Sequence, residues 1–189
     1  MYSGTTTTKT CSHEPKAVFK HNDITFYGAT SRNIEGKHLQ SGDLILNCGA
    51  YNSICSGSIS TGPFKKTPTW LDPTPYKLSF YVPDEIWLDW DDFKTPVINV
   101  QFWKDLIQKA KENGIKRVIV TCSGGHGRTG TALSALLVAI GVDARKAVLF
   151  LRQHYCTEAV ETTDQYAYIK NLDKILNNHS EEEQTKINI

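Results

Sequence analysis

Cys122-Ser123-Gly124-Gly125-His126-Gly127-Arg128-Thr129-Gly130 puts a thiol and a guanidinium six positions apart around a glycine-rich run. The run follows an apolar strand, Val118-Ile119-Val120, and precedes a helical stretch that reads as Thr131 to Ile140. Glycines at 124, 125, 127 and 130 allow a tight curl whose N–H groups turn inward as an anion nest. The N-terminus of the next helix adds unpaired donors and the positive end of its dipole. That field favours an anionic, nucleophilic sulfur at Cys122. Arg128 offers a planar fork for two phosphate oxygens at once. The Thr129 hydroxyl is placed to donate to the sulfur. Ser123, Gly124, Gly125, His126 and Gly127 complete a phosphate cradle, and the chemistry implied is covalent phosphoryl transfer to sulfur.

Two other glycine-loop chemistries fit less well. A nucleotide-binding loop needs G-x-x-x-x-G-K-[ST], and here Gly125 to Gly130 is followed by Thr131 with no lysine. Gly125-His-Gly127-Arg-Thr-Gly130 spells a dinucleotide turn, but the region some 20 residues on reads as helix, without the expected acidic strand end. The C-x5-R-[ST] pattern instead resembles the signature of the cysteine-dependent protein tyrosine phosphatase superfamily. The resemblance implies Cys122 as nucleophile and Arg128 as phosphate clamp.

Thiolate attack on phosphorus needs an acid for the departing oxygen and then a base for water. Trp90-Asp91-Asp92-Phe93-Lys94-Thr95-Pro96 is similar to the W-P-D-F-x-x-P loop of that superfamily, with Asp91 in place of the proline. The resemblance puts Asp92 at the acid position; Asp89 is the alternative, since loss of the proline could shift the loop. Ala159-Val160-Glu161-Thr162-Thr163-Asp164-Gln165-Tyr166 resembles the superfamily's V-Q-T-x-x-Q-Y segment, which implies that Glu161 and Gln165 lie beside the nucleophile and orient water. Thr162-x-x-Gln165 is also a capping box for the final helix. Two departures stand out: Thr121 replaces the usual histidine before the nucleophile, and His126 occupies a loop position commonly aliphatic or lysine. His126 either adds positive charge for polyanionic substrates or ties down the loop rim.

Around these residues the chain reads as one α/β domain, a central, mostly parallel mixed sheet flanked by helices. Strands are predicted at Ala17 to Lys20, Ile24 to Tyr27, Asp43 to Asn47, Tyr76 to Val82, Glu85 to Leu88 and Lys116 to Thr121. A helix over Asn99 to Asn113 carries Trp103, Leu106, Ile107 and Ala110 as a core stripe, and Gly114 stops it. Gly141 ends the next helix, Asp143 caps a third with Ala147, Phe150 and Leu151 inward, and the last begins at Thr162. Residues 1–14 read as a flexible N-terminal segment, 15–178 as a single phosphatase domain and 179–189 as a polar, disordered tail. The stretch from Ala50 to Pro75, rich in Ser, Gly, Thr and Pro, reads as a long loop. Size fits the compact, dual-specificity-like members of the superfamily.

The chain has 189 residues and a net charge of +1, which supplies no basic field for nucleic acid or anionic membrane. No apolar run approaches a membrane span, and the N-terminus lacks a signal-peptide core, so the cytoplasm is the default location. Five cysteines, an odd number, argue against a secreted disulfide framework. Cys11, His13, Cys48 and Cys55 lack the spacing of a familiar zinc module, and no metal or cofactor is expected. Cys48 and Cys156 are candidates for a reversible disulfide that protects an oxidised Cys122. The expectation is a monomeric, metal-independent phosphomonoesterase acting on phosphotyrosine, and on phosphoserine or phosphothreonine, in proteins or small phosphoesters. The alternatives are inositol phosphates, phosphoinositides or RNA 5′ ends as substrates, or an inactive phospho-binding module.

Overall fold

A computed structural model of the protein describes residues 13–34, 39–40, 42–49, 78–82, 85–88 and 90–177. Asp89, Cys11, Cys55, the Ala50 to Pro75 stretch and the 179–189 tail lie outside the described residues. Six strands form one sheet: β1 (Lys16–His21), β2 (Ile24–Thr30), β3 (Asp43–Cys48), β4 (Leu78–Val82), β5 (Glu85–Leu88) and β6 (Arg117–Cys122). Their order is β1-β2-β6-β3-β5-β4. β6 runs parallel to β2 and β3, and β3 parallel to β5, while β1 and β4 close the edges antiparallel. The sheet is thus mixed and mostly parallel at its centre, as expected from the sequence.

The register positions the site. Thr30 of β2 lies opposite Cys122, Asn47 of β3 opposite Thr121, and Cys48 opposite Leu88. The C-terminal ends of four parallel strands therefore converge on one edge, where open α/β sheets bind ligands. The central strands are apolar throughout because both faces are covered: Val118, Ile119 and Val120 are fully buried, as are Leu44 and Leu46. One buried polar pair crosses the sheet, Asn47 Nδ2 donating to Glu85 Oε1 at 2.9 Å.

The helices are α1 (Phe102–Glu112), α2 (Gly127–Ala139), α3 (Ala144–His154) and α4 (Thr163–Asn177). α1 buries Trp103, Leu106, Ile107 and Ala110 as its periodicity predicts, and it stops at Gly114, whose φ is +70°. α2 is buried from Gly127 to Val138 and packs on β2, β3 and β6, with the other three helices around it. It begins four residues before the predicted start, so Arg128 and Thr129 belong to its first turn. Asp143 caps α3 by accepting from Lys146 N at 3.0 Å. A second acceptor there was missed from sequence: the buried Asp173 of α4 takes the Ala144 N–H at 2.8 Å. No helix among the described residues is long and apolar enough to cross a membrane.

Candidate active site

The end of β6 delivers Cys122 into the mouth of α2. Cys122 is 2% exposed, and its sulfur accepts from Gly125 N at 3.2 Å and from Thr129 Oγ1 at 3.2 Å. Both donors belong to the loop and the first turn of α2. Of the four loop glycines only Gly125 adopts a left-handed conformation, φ +77°, which turns its N–H to the sulfur. Gly127 and Gly130 are helical and serve close approach instead: a Cβ at 127 would meet the Glu161 carboxylate, and one at 130 the backbone of Ala159 and Val160.

Arg128, 4% exposed, is held by main-chain atoms far off in sequence. Its Nη1 donates to Gly49 O at 2.7 Å and to Trp90 O at 2.9 Å, and its Nη2 lies 3.2 Å from Asp92 Oδ1. Gly49, φ +77°, must lack a side chain because a Cβ would run into Trp90 O and Arg128 Nη1. Two buried polar atoms of the loop, Arg128 Nε and Ser123 Oγ, have no hydrogen-bond partner among the described residues. Unsatisfied buried donors are rare and point to an absent acceptor; beside a guanidinium and a helix N-terminus, the fitting acceptor is an anion.

The acidic loop is pinned from two sides. Trp90, buried, donates from Nε1 to Lys94 O at 2.8 Å and closes the loop on itself. Thr162 Oγ1 donates to Phe93 O at 3.3 Å, and Gln165 Nε2 reaches Lys94 O at 3.5 Å. Phe93 sits at the tip with φ +59° and is 57% exposed, a strained aromatic next to Asp92. Asp92 is half exposed and faces Arg128; Asp91 contributes a carbonyl to the turn, accepting from Lys94 N at 3.3 Å.

The capping box at α4 is present: Gln165 N donates to Thr162 Oγ1 at 3.1 Å, and Gln165 Oε1 accepts from Thr162 N at 3.3 Å and also from Glu161 N at 2.9 Å. Gln165 is fully buried, while Glu161 is exposed with its carboxylate over Gly127. Arg152 fixes the preceding backbone, donating to the carbonyls of Ala159 at 3.1 Å and Val160 at 3.0 Å. Val160 has φ +64°, costly for a β-branched residue and compensated by this fixation.

Thr121, the departure from the superfamily's usual histidine, donates from Oγ1 to Ala29 O at 3.1 Å and ties the strand end to β2. The far side of the loop rests on Thr30, which donates to Gly124 O at 3.0 Å, and on Tyr155, whose hydroxyl donates to Gly125 O at 2.7 Å. His126 Nδ1 lies 3.3 Å from both Cys156 Sγ and His13 Nε2. His13 has its pKa lowered by burial first, then by the charges of His126 and Lys16. Cys48, fully buried, has its thiol pKa pushed up by burial and then by the neighbouring Cys122, so it stays a thiol. Gly49, Thr30 and Tyr155 carried no sequence signal of their own, and Cys156 was singled out only as a candidate disulfide partner. Only the rule that ligands collect at parallel strand ends points to Gly49 and Thr30.

Residues 91–186 match a family described as the Swiss Army Knife protein, DSP-PTPase phosphatase domain, PTP-SAK. Two uncharacterized proteins of Methanocaldococcus jannaschii are similar: one is 32% identical over 108 residues, 53% of this chain and 60% of its own length. The other is 35% identical over 97 residues, 50% of this chain and 60% of its own. The match thus spans less than two thirds of either relative. The fold resembles that of Tk-PTP in its active form, with a TM-score of 0.54, 22% identity, and coverage of 85% of this chain and 97% of that one. It also resembles a human DUSP28 variant, with a TM-score of 0.55, 14% identity, and coverage of 88% and 99%. With a DSP-PTPase family match over half its length and that fold around its cysteine loop, the chain belongs to the PTP-SAK family, as a compact, dual-specificity-like member of the protein tyrosine phosphatase superfamily.

Proposed function

We propose that this domain hydrolyses phosphotyrosine, and phosphoserine or phosphothreonine, in proteins through a phosphocysteine at Cys122. The observation that carries the reading is the doubly hydrogen-bonded Cys122 sulfur in a loop with the buried Arg128, whose Nε has no hydrogen-bond partner among the described residues. The sulfur anion attacks phosphorus in line; the S–P bond forms as the bond to the leaving oxygen breaks. Arg128 and the loop N–H groups, with Ser123 to Gly127 around them, hold the equatorial oxygens. Asp92 gives its proton to the leaving oxygen. The resulting carboxylate then takes a proton from the water that attacks phosphocysteine, with Glu161 and Gln165 positioning that water. The Thr129 hydroxyl stabilises the sulfur as it departs. Atoms balance without a metal: one phosphoester and one water give an alcohol and inorganic phosphate.

Phe93, exposed beside Asp92, offers an aromatic face suited to a phosphotyrosine ring. The polyanion reading rested on His126, whose ring is engaged with Cys156 and His13, and that support is withdrawn. We place the enzyme in the cytoplasm as a monomer. The test is hydrolysis of an aryl phosphate in EDTA by the reduced wild type and by Cys122→Ser. Turnover in the wild type alone supports the proposal; no turnover between pH 5 and 8 overturns it in favour of phospho-binding without hydrolysis.

A further inference from the structure

Behind the phosphate loop, on the side of His126 rather than of the Cys122 sulfur, three potential metal ligands meet. His126 Nδ1 lies 3.3 Å from Cys156 Sγ and 3.3 Å from His13 Nε2. All three ligand atoms lie within 4.8 Å of one another. The residues come from three separate segments: the start of the described chain before β1, the loop itself, and the end of α3.

Hydrogen bonding alone satisfies this cluster poorly. A single imidazole nitrogen holds either one hydrogen or one lone pair, so His126 Nδ1 cannot make a full hydrogen bond to both neighbours at once. A cation in place of that proton satisfies all three. Around a tetrahedral zinc ion, with ligands at ~2.0–2.1 Å (N) and ~2.3 Å (S), two nitrogens stand ~3.3–3.4 Å apart and a nitrogen and a sulfur ~3.5–3.6 Å; the His126–His13 contact of 3.3 Å matches the first, and the His126–Cys156 contact of 3.3 Å is ~0.2 Å shorter than the second. A donor set of two imidazoles and one thiolate suits zinc, which is borderline soft. Cys156, 5% exposed, is shielded, while the partly exposed histidines leave an approach for the ion and for a water as fourth ligand.

We propose that His13 Nε2, His126 Nδ1 and Cys156 Sγ form a zinc site that braces the phosphate loop from behind. Binding releases the thiol proton of Cys156 to solvent and leaves every oxidation state unchanged. The ion joins the loop, at the residue preceding α2, to the segment that pairs with β2: His13 O accepts from Thr30 N at 2.9 Å, and Thr30 in turn holds Gly124 O. Tyr155, its ring centroid 4.9 Å from that of His13, holds Gly125 O from the same side. The site is distinct from the Cys122 sulfur, so it stands or falls independently of the phosphatase chemistry.

The experiment is titration of chelator-treated, reduced protein with Zn2+ against a chromophoric chelator, and with Co2+ by absorption. The expected result is one equivalent bound, with a thiolate-to-cobalt charge-transfer band. Affinity should fall at least ten-fold in Cys156→Ser and in His13→Gln, and be unchanged in Cys122→Ser. His13 lies outside the core, so His13→Gln decides the matter if Cys156→Ser fails to fold. Absence of saturable binding overturns the proposal. So does binding that Cys122→Ser abolishes while the other two variants retain it, since the metal would then sit on the nucleophile.

Discussion

Asp92 Oδ1 stands 3.2 Å from Arg128 Nη2, joining the acidic loop to the Cys122–Gly130 loop. Arg128 is buried and anchored through its other terminal nitrogen to two carbonyls, so its position is fixed and Asp92 is the partner free to adjust. A phosphoryl group held on Arg128 is thereby presented next to this carboxyl group, as protonation of a leaving oxygen requires.

Asp92→Asn should lower kcat on a phosphotyrosyl peptide by about 10²–10⁴, the usual worth of a positioned general acid. The loss should be smaller on an aryl ester whose leaving group needs no proton. Steady-state kinetics on the two substrates checks this; an equal loss on both would assign Asp92 to binding.

Thr162 performs two tasks with one hydroxyl, capping α4 and holding Phe93 O. Thr162→Val should cost about 0.5–2 kcal/mol of stability through the lost cap. It should also lower kcat more than it raises KM, because the acid loop loses an anchor while the phosphate loop is untouched. Urea unfolding and kinetics on the same preparation test the pair of effects.

Gly130→Ala sets helix propensity against packing. Alanine is favoured by about 0.8–1 kcal/mol in a helix interior, but its Cβ would lie 2.8 Å from Val160 N and 2.9 Å from Ala159 Cα. Those are backbone atoms held by Arg152, so overpacking at about 1–3 kcal/mol wins. The expected outcome is a lower Tm, by about 2–4 °C per kcal/mol for a chain of this size, together with reduced turnover as Glu161 is displaced. A raised Tm would show that the 159–161 segment yields.

The curl of the Cys122–Gly130 loop, the α1 stripe and the α4 capping box were legible because each is a local pattern, with its residues a few positions apart. The start of α2 was not: Gly127 and Gly130 are poor helix formers, and burial against β2, β3 and β6 overrides their propensity. The carbonyls that hold Arg128 come from Gly49 and Trp90, and main-chain acceptors leave no side-chain signature. His13 meets His126 because it is bonded to Thr30 at the end of β2, which the β2–β6 register sets beside the loop, and Cys156 arrives from just past α3. Such proximity is a product of topology and is invisible to spacing.

The most direct test of the account is to acid-quench the enzyme during turnover of a labelled phosphotyrosyl peptide and map the label. The account predicts one phosphoryl group on Cys122, more of it in Gln165→Ala as water attack slows, and none in Cys122→Ser. Turnover without a phosphorylated cysteine, or a label that persists in Cys122→Ser, would contradict it.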